Sequence, residues 1–246
     1  MEHSMPYSLK DKRVLIVGGG SDIAAALATD LLQEGARVTL AGRNVEKTAA
    51  AAKALGDAVR SVALDLSSEE SIRAAADQVR AAGGLDHLVS VATERGNGPV
   101  ASLERGALLA AFDAKVVGPI LLAKHFSGLI AEEGSLLFFS GLAAWRPSPG
   151  LVAMAATNGG VSTLVSALAV ELAPTRVNAI SPGVIDTSNW DAVVPDKHEL
   201  FRHIAASAPA RRVGAPSDVS AAACALLINP YITGETLHVD GGARWS

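Results

Sequence analysis

RVLIVGGGSDIAAALATDLLQEG, residues 13–35, is the stretch on which the fold turns. Its first five residues, RVLIV (13–17), form an apolar run that reads as a buried strand. DIAAALATDLLQEG (22–35) reads as a helix with Gly35 as its stop. Between them lie three consecutive glycines. A tight glycine turn that feeds a strand into a helix lets backbone approach a pyrophosphate. The helix N-terminus adds N–H donors and the positive end of its dipole. Three glycines also occur in plain structural turns, so placement after the first strand is what points to a nucleotide.

The same alternation continues outward from this unit. RVTLA (37–41), VRSVALDL (59–66), LDHLVSVA (85–92), GSLLFFS (134–140), TRVNAIS (175–181) and ETLHVD (235–240) read as further strands. Helices are expected at 44–55, 67–84, 102–132, 150–173 and 215–229. The one at 67–84 opens on a capping box, either Ser67 with Glu70 or one residue removed. Strands alternating with helices make an α/β chain with parallel crossovers. Nearly continuous apolar strands imply helices on both faces. The expectation is one Rossmann-type doubly wound parallel sheet of about seven strands, as a single dinucleotide-binding domain over 1–246. Its ligand should sit beyond the strand C-termini, at the switch point. The stretch 186–214, rich in Pro and charge, is read as a lid-like excursion or as a plain surface loop.

Hydrophobic residues are 49% of the chain and charged residues 19%, enough to fill a core. The net charge of −4, with no dense Lys/Arg cluster, excludes a nucleic-acid-binding surface. A single cysteine, Cys224, excludes an internal disulfide and suits the cytoplasm. The opening MEHSMPYSLKDKR lacks the apolar core of a signal peptide. Residues 147–170 carry no charge and are long enough for a bilayer. The polar and small residues among them, Pro149, Thr157, Asn158, Gly159, Gly160, Ser162, Thr163 and Ser166, argue for a soluble helix instead. We read it as buried on most sides, at the interface of a homodimer or homotetramer and not in a membrane.

The second strand ends in LAGRN. An acid here suits the ribose of NAD(H); Arg43 suits a 2′-phosphate and favours NADP(H) over NAD(H). Asp65, at the end of the third strand, falls where an adenine contact belongs. His87, His125, His198, His203 and His238 show no metal-ligand spacing. Met154, Leu142, Trp145 and Trp190 suggest an apolar mouth for a small hydrophobic ligand, although core packing explains them nearly as well.

These motifs together resemble the short-chain dehydrogenase/reductase family over nearly the whole chain. VGGGSDIA lines up with the family's TGxxxGxG from Val17. LAGRNVEK, VALDLSS, TRVNAISPGVIDT and YITGETLHVDGG resemble its later segments. The resemblance implies a Rossmann fold, a nicotinamide cofactor and a homo-oligomer. It implies cofactor contacts from Gly18, Gly20, Ser21, Asp22, Ile23, Arg43, Asp65, Leu66, Ala92, Asn158, Pro182, Gly183, Ile185 and Thr187. It also implies a tetrad: Tyr as proton donor, Lys on the nicotinamide ribose, Ser on the carbonyl and Asn in a water relay.

The chain departs from that pattern. Laying AMAATNGGVSTL on AYxxxKAA puts Met154 at Tyr and Asn158 at Lys. The Ser position is Gly141, with Ser140 beside it, and the Asn position is Lys115. The family's NNAG has become SVAT (90–93). Asp22 and Ala24 replace two glycines of the turn. Of the two tyrosines, Tyr7 lies in the N-terminal tail and Tyr231 before the last strand, so neither is the acid in this alignment. Lys115 and Ser140 are the candidate substitutes. Three functions stay open: an oxidoreductase of altered chemistry, a non-catalytic relative that binds nucleotide or another ligand, and a non-redox isomerase or dehydratase reusing the pocket.

Overall fold

The computed structural model describes residues 8–94, 96–191 and 193–246; Tyr7 lies outside them. Seven strands form one sheet: β1 (Arg13–Val17), β2 (Arg37–Gly42), β3 (Arg60–Ala63), β4 (Leu85–Ser90), β5 (Ile130–Phe139), β6 (Arg176–Pro182) and β7 (Thr236–Val239). All pairings are parallel, in the order β3-β2-β1-β4-β5-β6-β7. The order reverses between β1 and β4, which opens a crevice beyond their C-terminal ends.

The helices are α1 (Asp22–Gln33), α2 (Val45–Leu55), α3 (Glu69–Ala81), α4 (Arg105–Phe112), α5 (Gly118–Phe126), α6 (Val152–Glu171), α7 (Lys197–Ser207) and α8 (Pro216–Ile228). They cover both faces of the sheet, and the strand residues alternate between two cores. Val14 and Ile16 pack with Leu27 and Leu31 of α1 and with Val219 and Leu226 of α8. Leu15 and Val17 face the other way, against Ile72 of α3, Phe126 of α5 and Val165 of α6. Each such side chain contributes roughly 1.5–3 kcal/mol on burial. This double burial is why the strands read as unbroken apolar runs.

Several details differ from the sequence expectation. The N-cap of α3 is Ser68, whose hydroxyl accepts from Ser71 N. Ser71 is no acid, so the capping box is not formed; its hydroxyl instead accepts from Asp65 N at 3.0 Å. The long helix at 102–132 is divided: a π-helical turn, Asp113–Val117, joins α4 to α5 and carries Lys115. β5 starts at Ile130, earlier than expected, because Ile130 pairs with Leu85 ahead of a register shift. The excursion at 186–214 contains α7, a helix that its polar composition hides. Asp196 caps α7 by accepting from His198 N and Glu199 N, and Phe201 is its one buried residue. A short 3₁₀ turn, Ser188–Trp190, precedes it.

α6 also departs from expectation. It is long and apolar enough to cross a membrane by length and composition. It is not buried on most sides in this chain: Ala153, Thr157, Asn158, Val161, Val165 and Leu168 face the sheet, while Val152 and Val170 are exposed. The outward face of this helix carries no charge as far as Val170.

Arg176 joins β6 to α8 without a carboxylate. Its buried guanidinium donates to Leu226 O and Leu227 O, both at 2.8 Å, and to Ile232 O at 3.3 Å. It thereby caps the end of α8, whose last carbonyls have no helical partner. Arg176→Ala should lower unfolding stability by about 2–4 kcal/mol, because it orphans buried carbonyls and leaves a cavity. Urea denaturation measures this; a loss below about 0.5 kcal/mol, the range of an ordinary surface change, would show that water replaces the guanidinium.

Candidate functional site

The crevice is built on the turn from β1 into α1. Gly18 has φ +89°, and a Cβ there would lie 2.9 Å from Ala92 N. Only glycine accepts both the conformation and the contact. The turn therefore presses the ends of β1 and β4 together and leaves a cleft of ≈ 470 Å³ over β1–β4. Gly18, Gly20, Ser21, Arg43, Asp65, Leu66 and Ala92 line it. Asp65 is held in place by Ser67, whose N and Oγ both donate to Oδ1, at 2.9 and 2.8 Å.

The positive charge of the cleft comes from two side chains. Arg43 Nη2 pairs with Glu94 Oε1 at 2.5 Å across the mouth. Both groups are substantially exposed, so the pair is worth about 1 kcal/mol or less and yields readily to a better anion. Lys47, absent from the sequence reading, also lines the cleft, and its methylene stem lies against Gly20. Its signal was there: Asn44 caps α2 by accepting from Lys47 N, which places residue 47 one turn in and over the glycine turn. Glu94 had no such signal.

The other expected contacts do not reach this cleft. Pro182, Gly183, Ile185, Thr187, Asp22, Ile23 and Asn158 are not among its lining residues. Ile23 packs against the core under α1. Asn158 is 1% exposed. Asp22 Oδ2 accepts from Ser188 N at 2.5 Å and so ties the head of α1 to the segment after β6. Ile185 lies beyond that tie, in a second cavity of ≈ 270 Å³ shared with Arg212, His238 and Arg244. The open cleft thus fits the adenosine end of a dinucleotide: close backbone, an acid near the base, and two cations for phosphate. The residues expected at the far end lie outside the cleft's lining, and the Asp22–Ser188 bond joins the head of α1 to their segment.

Lys115, Ser140, Gly141 and Asn158 form one buried cluster where the ends of β5 and α6 meet. The Lys115 ammonium donates to Phe139 O at 2.7 Å and Ser140 O at 3.2 Å. It is neither a surface lysine nor an ion-paired one among the described residues, and it does not extend into open space. Burial pulls its pKa from 10.5 to about 8. Ser140 Oγ donates to Asn158 O at 2.8 Å and is met by Ser162 Oγ at 3.3 Å. Gly141 is imposed by its neighbour: a Cβ would fall 2.8 Å from Asn158 Nδ2. Asn158 Oδ1 is buried without a donor. Met154 is half-buried on the first turn of α6.

The tryptophans expected at an apolar mouth have separate partners. Trp145 meets His238 edge-on at 4.6 Å. Trp190 donates from Nε1 to Ile185 O and packs on Phe201. Tyr231 is 97% exposed and precedes β7.

Comparison with known proteins agrees with the fold. A family model described as enoyl-(acyl carrier protein) reductase matches residues 18–244. The glucose 1-dehydrogenase of Gluconobacter oxydans is 30% identical, with 97% of this chain and 95% of that protein covered. A short-chain type dehydrogenase/reductase from Mycobacterium ulcerans superposes with a TM-score of 0.88 at 31% identity, covering 97% of this chain and 91% of that one. A small-chain dehydrogenase solved in complex with NADPH gives a TM-score of 0.83 at 30% identity, covering 96% and 100%.

The depressed pKa of Lys115 has a pH signature. The unfolded chain holds the proton up to about 10.5 and the folded one only to about 8. Between those values the unfolded state binds more protons, so stability rises with pH; below pH 8 the full cost of burying the charge is present. Relative to Lys115→Met, the wild type should gain about 3 kcal/mol on going from pH 8 to 10.5. Parallel stability curves for the two proteins across that window would contradict this.

Proposed function

The chain belongs to the short-chain dehydrogenase/reductase family, and on that premise we propose that it binds NADP(H) without conventional carbonyl reduction. One observation carries the second half: the Lys115 ammonium and the Ser140 hydroxyl behind the cleft are both turned inward and bonded to backbone carbonyls. A bound nicotinamide supplies or accepts hydride; the protein must still deliver a proton to the substrate oxygen. Met154 has none to give. The Lys115 N–H groups are directed at Phe139 O and Ser140 O, and the Ser140 hydroxyl at Asn158 O. Positioned acid–base help is worth about 10²–10⁴ in rate, and this arrangement forgoes it.

Arg43 and Lys47 support the preference for a 2′-phosphate, since two cations at the cleft stabilise an anion that NAD(H) lacks. The charge-free outer face of α6 supports a homodimer or homotetramer in the cytoplasm, because so apolar a surface is rarely left to solvent.

Two measurements test this reading. Nucleotide titration should show NADPH binding at least about tenfold more tightly than NADH, with Arg43→Asp erasing the preference. Equal affinities in the wild type would overturn the assignment. A panel of aldehydes and ketones with NADPH should show turnover at least about 10²-fold below family-typical rates. Rapid reduction of any of them would show that an unrecognised acid serves the site.

A further inference from the structure

The first residue of α1 places a negative charge at the head of the helix, where a dinucleotide's diphosphate would lie. α1 runs twelve residues from Asp22. Two of its first N–H groups are satisfied: Ala24 N by the Ser21 hydroxyl and Ala25 N by Ser21 O. The N–H groups of Asp22 and Ile23 belong to the unpaired set that takes phosphate at such turns. The Asp22 carboxylate sits beside them and complements the dipole itself.

The carboxylate also has a partner far along the chain. Asp22 Oδ2 accepts from Ser188 N, 166 positions away in the chain. The segment that carries Ser188 borders two spaces. On one side is the ≈ 470 Å³ cleft, which reaches Asn189. On the other is the ≈ 270 Å³ cavity, which includes Val184 and Ile185. Arg43 and Lys47 line the cleft together with Asp65, Glu94 and Asp113, while the Asp22 carboxylate is held at the head of α1, outside that lining.

We propose that Asp22 is the specificity-determining residue of this cleft: by latching Ser188 and occupying the anion position, it restricts binding to the adenosine 2′-phosphate end of the nucleotide. The inference rests on the NADP(H) reading above and deepens it. In the latched form the diphosphate and nicotinamide add no affinity, because their path is crossed by protein and faces a like charge. Removing the carboxylate opens that path and leaves the Arg43–Lys47 end untouched.

The test is calorimetric titration of the full-length protein with NADPH and with adenosine 2′-monophosphate. In the wild type the two dissociation constants should agree within about tenfold. Asp22→Gly should tighten NADPH by about tenfold or more while adenosine 2′-monophosphate changes less than about twofold. Ser188→Pro is the second variant: it deletes the donor at the start of a 3₁₀ turn without altering α1, and should also tighten NADPH selectively. Asp22→Asn keeps an acceptor for Ser188 N and removes the charge, so its gain separates repulsion from the latch. Wild-type NADPH binding more than about tenfold tighter than adenosine 2′-monophosphate would overturn the proposal and leave the NADP(H) reading intact. Equal changes for both ligands in Asp22→Gly and Ser188→Pro would overturn it as well. Failure of the wild type to bind either ligand would overturn the NADP(H) reading, and this inference with it.

Discussion

The close approach of β1 to β4 at Gly18 is the constraint on which the functional end depends. Gly18 N and Gly19 N both donate to Ala41 O, and Val91 N donates to Val17 O. Three strand ends are thereby fixed by one turn whose backbone excludes a Cβ. The turn sets where α1 begins, and hence where Ser21 caps it and where Asp22 points. It also sets the width of the cleft that Arg43, Lys47 and Asp65 border. Everything proposed for the nucleotide follows from that local geometry.

The second organising feature is a buried ammonium with no carboxylate among the described residues. An isolated buried charge is costly, and here two carbonyl dipoles at the end of β5 offset part of the cost. The π-helical turn at Asp113–Val117 brings Lys115 to them. On the facing helix, Asn158 fills the space that Gly141 leaves open. The cluster reads as mutual accommodation: the lysine, the glycine and the asparagine each fit because the others are present. The hydrogens of Lys115 and Ser140 are directed at backbone carbonyls.

Most of the sheet was legible because its central strands are apolar on both faces; the edge strand β3, RSVA, is largely exposed. α7 was not: with Phe201 as its one buried residue, it has little apolar stripe to detect. At the site, Gly18, Gly20, Ser21, Arg43, Asp65, Leu66 and Ala92 surround one cleft because they lie within a few residues of strand ends, which periodicity locates. Lys47 needed the helical phase from Asn44. The Asp22–Ser188 and Arg43–Glu94 contacts join segments whose proximity no local pattern encodes. The inward direction of Lys115 had no local signal either: the π-helical turn that carries it lies within an otherwise ordinary helical run.

The central claim is that the inward-bonded cluster persists when nucleotide is present. A crystal structure of the protein soaked with NADPH tests it directly. The account predicts the 2′-phosphate between Arg43 and Lys47, with Lys115 Nζ still on Phe139 O and Ser140 O as it is now, at 2.7 and 3.2 Å. A structure in which Lys115 has left those carbonyls and extends toward an ordered nicotinamide ring would contradict it.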